Sequence, residues 1–238
     1  MRRHCLLVFG LLLIASLAQS ARAQSAIFNV PTTDVLPAGE LLVEADYITH
    51  PTSYESGGFQ FFGPSLIYGV GKKMEVGLNF YYTKSSEPDA AELQPNFKWR
   101  FYEDETRGLA AAAGAVLFIP LKNRDSANTN ALAYLTFSKK IKKESYGPTF
   151  TTGAYSFVGR MDEGETRAGV LLGYEQPVVP DKLVFFADWF SGNNSFGYAA
   201  SGLGIFLPKE SYLYAGYSFG NQGRGNNWLG IYIGRTFK

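Results

Sequence analysis

Cysteine is almost missing from this 238-residue chain: there is one, Cys5, at the extreme N-terminus. A disulfide framework is therefore excluded, and so is thiol chemistry in the body of the chain. Histidine is nearly as scarce, with His50 the only one after His4. The Cys/His spacings of metal centres are absent, as are a P-loop, G-x-S-x-G and H-E-x-x-H. Long hydrophobic runs are missing too. The longest after the first 23 residues is Leu109 to Leu121, shorter than the roughly 20 residues a membrane-spanning helix needs. Charge is sparse and balanced, at 18% of residues and a net +1, which gives no electrostatic basis for binding nucleic acid. Gly220 to Gly225 is glycine-rich but follows no strand–helix pattern, and it reads as a loop.

The first residues set the compartment. Arg2 and Arg3 precede an apolar run from Leu6 to Leu17, and Ala21-Arg22-Ala23 has the small-x-small form of a signal-peptidase site. A cleaved signal peptide over 1–23 is expected, and it takes Cys5 with it. Residues 24–38, with Pro31 and Pro37, read as a periplasmic lead-in, and 39–238 as one further unit.

What the chain does have is aromatic residues (15 Tyr and 19 Phe), 26 Gly and a two-residue alternation. In the stretch Lys73 to Tyr82, Met74, Val76, Leu78, Phe80 and Tyr82 oppose Lys73, Glu75, Gly77, Asn79 and Tyr81. From Glu92 to Phe101, Leu93, Phe97, Trp99 and Phe101 oppose Glu92, Gln94, Asn96, Lys98 and Arg100. Extended along the chain, the alternation predicts about twelve strands of about nine to thirteen residues, against the roughly 9–11 that cross a bilayer when tilted. They fall near 40–49, 58–69, 73–83, 91–102, 108–119, 130–140, 148–158, 166–176, 183–191, 195–207, 211–219 and 227–237. Short links alternate with longer polar ones, Ser191 to Asn194 excepted, as periplasmic turns alternate with outer loops. The fold class expected is all-β: a transmembrane antiparallel β-barrel of the outer membrane.

The alternation also assigns faces. Tyr47, Tyr82, Tyr155, Phe157, Trp189, Tyr217 and Phe219 would form an outer aromatic girdle, and Tyr68, Trp99, Phe101, Phe137, Tyr174 and Phe237 a periplasmic one. Facing the lumen are Glu44, Asp46, Glu75, Asn79, Lys98, Arg100, Arg167, Glu175 and Asp188. Phe61, Ile67, Tyr81, Phe118, Phe150, Phe186, Phe190, Tyr198, Phe206, Tyr214 and Tyr232 would also point inward. Two readings of this lumen stay open: a wet passage with opposed charges, or a lumen plugged by pairing and packing.

Three stretches carry a family resemblance. Phe28 to Gly39, ending in Pro37-Ala38-Gly39, is one; Tyr68 to Leu78, around Val70-Gly71-Lys72, is the second; Asn96-Phe97-Lys98-Trp99-Arg100-Phe101 is the third. Together they resemble the outer-membrane channel-like proteins associated with the meta pathway of phenol degradation. The resemblance implies a passive channel for small solutes, aromatic or hydrophobic ones among them; the missing motifs leave no cofactor, metal or catalytic residue to expect. The partners expected are outer-membrane lipid and the barrel-assembly machinery, from the barrel reading, and a small-molecule solute, from the resemblance. The C-terminus departs from the usual terminal aromatic, because Lys238 follows Phe237 and Arg235 interrupts the apolar face. The rivals are a non-conducting structural or surface-interaction barrel using loops such as Pro120 to Thr129, an integral outer-membrane hydrolase relying on His50, and, more distantly, a soluble periplasmic β-protein.

Overall fold

The computed structural model describes residues 25–122, 129–141, 146–223 and 225–238. The signal peptide expected over 1–23 and part of the loop between Pro120 and Thr129 lie outside them. Twelve strands follow one another: Leu41–His50 (β1), Phe59–Val70 (β2), Met74–Lys84 (β3), Ala90–Asp104 (β4), Leu109–Lys122 (β5), Asn130–Lys140 (β6), Thr149–Gly159 (β7), Ala168–Val179 (β8), Leu183–Phe190 (β9), Tyr198–Leu207 (β10), Ser211–Gly220 (β11) and Trp228–Phe237 (β12). Each pairs antiparallel with its chain neighbours, and β1 pairs with β12 from Leu41↔Phe237 to Thr49↔Leu229, which closes the barrel. Closure matters because an open edge in hydrocarbon would leave unpaired backbone groups costing several kcal/mol each.

The period-two pattern becomes two surfaces. Leu66 on β2, Leu78 on β3 and Ile233 on β12 point outward and are exposed, as are Tyr68, Trp99, Trp189 and Phe237 of the expected girdles. Tyr47 and Tyr82 are half-buried on the same outer surface. Such a continuous apolar exterior suits lipid rather than water. Turns 71–73, 180–182 and 208–210 close one end of the barrel, while links 51–58, 160–167 and 221–227 close the other. The link after β9 runs over 191–197, because β10 begins at Tyr198, so the short link anticipated at Ser191 to Asn194 disappears.

Two strands depart from simple alternation. On β4 the register shifts between Arg100 and Tyr102, so Phe101 and Tyr102 are both exposed on the outer surface. On β7 the faces are the reverse of those expected. Tyr155 and Phe157, assigned to the outer girdle, are 3% and 5% exposed inside, whereas Phe150, assigned to the lumen, is 47% exposed outside. The polar partners explain the choice: the Tyr155 hydroxyl donates to the Ser191 carbonyl at 2.5 Å and accepts from Asn194 Nδ2 at 2.8 Å. Lipid would offer neither bond.

The largest difference concerns residues 25–38. The expected periplasmic lead-in lies within the barrel, with Ile27, Phe28, Val30, Val35 and Leu36 all buried. A tight turn shapes its first part, with Ala26 bridged to Pro31 and the Ile27 N–H bonded to the Val30 carbonyl at 2.9 Å. Phe28 stacks on Phe186, Trp228 and Tyr232 at ring-centroid distances of 4.9, 5.5 and 4.5 Å. The wall gives way where the segment approaches: a Cβ at Gly173 would lie 2.2 Å from Ile27 Cδ1, and one at Gly230 would lie 2.7 Å from Phe28 Cζ.

Leu78→Arg should cost about 2–4 kcal/mol in urea unfolding from lipid, because Leu78 faces outward between Leu66 and Pro95. A loss below experimental error would deny its lipid exposure. Phe237→Ala should lower outer-membrane yield in membrane fractionation; an unchanged yield would remove any assembly role from that ring.

Candidate functional site: a plugged lumen with two chambers

The segment 25–38 is held at two polar anchors. Asp188 on β9 is the first. Its Oδ2 accepts the backbone N–H groups of Phe28, Asn29 and Val30 at 3.1, 2.6 and 2.9 Å. Three consecutive N–H groups converging on one buried carboxylate oxygen satisfy donors that have no ladder partner.

The second anchor is the Glu75–Lys98 ion pair on neighbouring strands β3 and β4. Its atoms lie 3.1 Å apart, and the side chains are only 2% and 3% exposed. Buried charges need more than one another, and here the segment supplies the rest. Leu36 N–H donates to Glu75 Oε2 at 2.7 Å, Lys98 donates to the Ser25 carbonyl at 2.7 Å, and the Ser25 hydroxyl bonds to Glu75.

Space remains on both sides of the segment. A cavity of about 700 Å³ lies toward the long loops and reaches Thr83, Asn130, Ser195 and Asn226. Its wall is rich in rings, among them Phe61, Tyr81, Phe118, Phe196 and Trp228. A cavity of about 400 Å³ lies toward the short turns, bounded by Thr33, Asp34, Glu175, Asp181 and Phe206.

The lumen residues inferred from the alternation are distributed over these parts. Glu44 and Asp46 line the larger cavity, where Glu44 accepts from the Tyr212 hydroxyl and Asp46 from the Tyr81 hydroxyl at 2.6 Å. Asn79 also lines it and accepts from Asn96 at 3.3 Å. Glu175 lines the smaller cavity. Arg100 lies between Asp34 at 3.7 Å and Glu103 at 3.0 Å.

Arg167 is a correction. It precedes β8, is exposed, and its guanidinium donates to the carbonyls of Phe157 and Gly159 at 3.2 and 2.9 Å. It braces the 160–167 link, because the strand begins two residues later than the alternation suggested. At the rim, Tyr82 donates to Asp89 and, with Lys122 at 3.8 Å, holds that carboxyl below its ordinary range.

His50 bonds through Nδ1 to the Asn227 carbonyl and stacks on Phe59 at 6.0 Å. Among the described residues no hydroxyl nucleophile is bonded to its ring. Sequence reasoning missed the segment itself. Its signal was the mostly apolar stretch Ala26-Ile27-Phe28-Asn29-Val30, in which only Asn29 is polar and which is poorly suited to a hydrated lead-in.

No protein-family model and no curated protein matches the sequence. Solved structures do match the fold. An outer membrane channel from Pseudomonas putida F1 is 15% identical, with a TM-score of 0.53 over 86% of this chain and 98% of its own. Outer membrane phospholipase A from Escherichia coli is 13% identical, with a TM-score of 0.49 over 83% and 92%. The Ralstonia pickettii toluene transporter is 8% identical, with a TM-score of 0.41 over 85% and 90%. At these identities the likeness is one of fold. The closed twelve-strand barrel with its apolar exterior is that of a bacterial outer-membrane protein.

Asp188→Ala should release the segment without opening the barrel. Hydrogen bonds to a charged group contribute about 1.5–3 kcal/mol each, so losing them should speed labelling of the segment at least about tenfold. Asn29→Cys, combined with Cys5→Ser so that no other cysteine is present, gives the site for a water-soluble maleimide. Unaltered labelling in a variant that keeps the heat-modifiable mobility of a folded barrel would show that Asp188 is not the clasp.

Proposed function

We propose that this protein is an outer-membrane channel for passive passage of small solutes, aromatic or hydrophobic ones among them, with its N-terminal segment closing the lumen at rest. The observation that carries the reading is the ring-walled cavity of about 700 Å³, which reaches from the long loops down to Phe28 of the segment. Its size lies within the range of small-molecule sites, and its lining is apolar with a few placed polar groups. The resemblance of the lead-in and of the β2–β3 turn to meta-pathway channel-like proteins supports the same solute class.

Passage requires the segment to move, and its attachment is suited to that. It is held by side chains and by one local turn rather than by a strand ladder along its length. The filled lumen favours, as a second reading, a barrel that binds without conducting.

Planar-bilayer recording separates the two. The wild type should show rare, discrete openings. Asp188→Ala should raise the open fraction, and small aromatic solutes added to one side should block the current. Silence from both proteins, once each is shown to be folded and inserted, would reject the channel and leave the binding barrel.

A further inference from the structure

The larger cavity has an uneven charge. Among the described residues its lining includes four carboxylates, Glu44, Asp46, Glu75 and Glu92, and one cation, Lys98. Lys98 is committed to Glu75 at 3.1 Å and to the Ser25 carbonyl. Glu44, Asp46 and Glu92 are left with hydroxyl or amide donors, from Tyr212, Tyr81 and Gln94 respectively, and among the described residues no cation of the lining is bonded to them.

Asp46 is the focus. It is 8% exposed and lines the cavity, and while its Oδ2 accepts from Tyr81, its Oδ1 has no hydrogen-bond partner. A buried carboxylate oxygen without a donor is costly unless a ligand or ion completes it.

The surroundings specify what kind of ligand. Asp46 is paired across the ladder with Tyr232, whose ring stacks on Phe28, and the ring of Tyr81 lies over Gly63, the partner of Asp46 on β2. Aromatic faces beside an unpaired carboxylate attract a cation twice, through the ring quadrupole and through charge. Among the described residues no cluster of His, Cys, Asp or Glu is arranged to hold a metal ion. The rings favour an organic cation over a hydrated inorganic one.

We propose that the outer cavity binds a small organic cation carrying an apolar or aromatic group, such as an aromatic amine or a quaternary ammonium, with Asp46 facing its charge and the rings of Tyr81 and Tyr232 facing its body. This rests on the solute-passage reading for its physiological sense but not for its test, which measures binding alone.

The folded full-length protein in detergent is titrated by calorimetry with benzyltrimethylammonium, benzyl alcohol and benzoate. The cation should bind at least about tenfold more tightly than the neutral alcohol, and benzoate least tightly of the three. Asp46→Asn keeps the size and an acceptor for Tyr81; it should abolish the preference for the cation over the alcohol. Glu92→Gln, at the edge of the cavity, should reduce the preference without abolishing it. Equal binding of cation and alcohol by the wild type would overturn the proposal, as would a cation preference that survives Asp46→Asn. A protein that selects the cation yet never conducts would keep this site and lose the channel. One that conducts without selecting the cation would do the reverse.

Discussion

In hydrocarbon a backbone N–H or C=O has no water to turn to, and every other feature of this protein follows from that constraint. It forces the strand set to close through β1 and β12, and it confines irregular backbone to places where protein or water can satisfy it. Residues 25–38 are irregular backbone at membrane depth. They are tolerated because Asp188 takes three of their N–H groups and Glu75 takes another. The charges of the lumen are therefore structural before they are functional. They stand in for the water that the segment gave up on entering the barrel.

The two open readings of the lumen, a wet passage and a plugged one, meet in one arrangement. Glu75 and Lys98 do pair, and between them they hold the segment that fills the middle of the barrel. Above it the wall keeps a ring-lined chamber, and below it a smaller polar one. Such a division ties any passage of solute to movement of a short, locally anchored segment. Apolar packing of Phe28 against three rings adds to the hold on the segment without fixing it by a continuous ladder.

Much of the barrel was legible because lipid on one side and a lumen on the other impose a strict period of two. Met74 to Tyr82 shows the rule plainly, and β3 begins and ends within one residue of its expected 73–83. The rule is weaker where both faces carry mixed side chains. On β7, Phe150 on one face and Tyr155 with Phe157 on the other offered alternation no polar contrast to read. Bonds from Tyr155 to Ser191 and Asn194, distant in sequence, decided the face. Arg167 was misplaced for a related reason: strand ends are set by ladder partners, and here the ladder starts at Ala168↔Ser156.

The sequence by itself determined the all-β class, a count of about twelve strands and most of the lipid-facing surface, because each depends on local pattern and on the uniform demands of a bilayer. Only the tertiary structure decided that residues 25–38 turn back into the lumen, that Asp188 and Glu75 receive them, and that Asp46 is left beside Tyr81 and Tyr232 with a free oxygen. Those outcomes depend on side chains brought together from strands far apart in the chain, such as Phe28 and Asp188, and no periodicity records such a meeting.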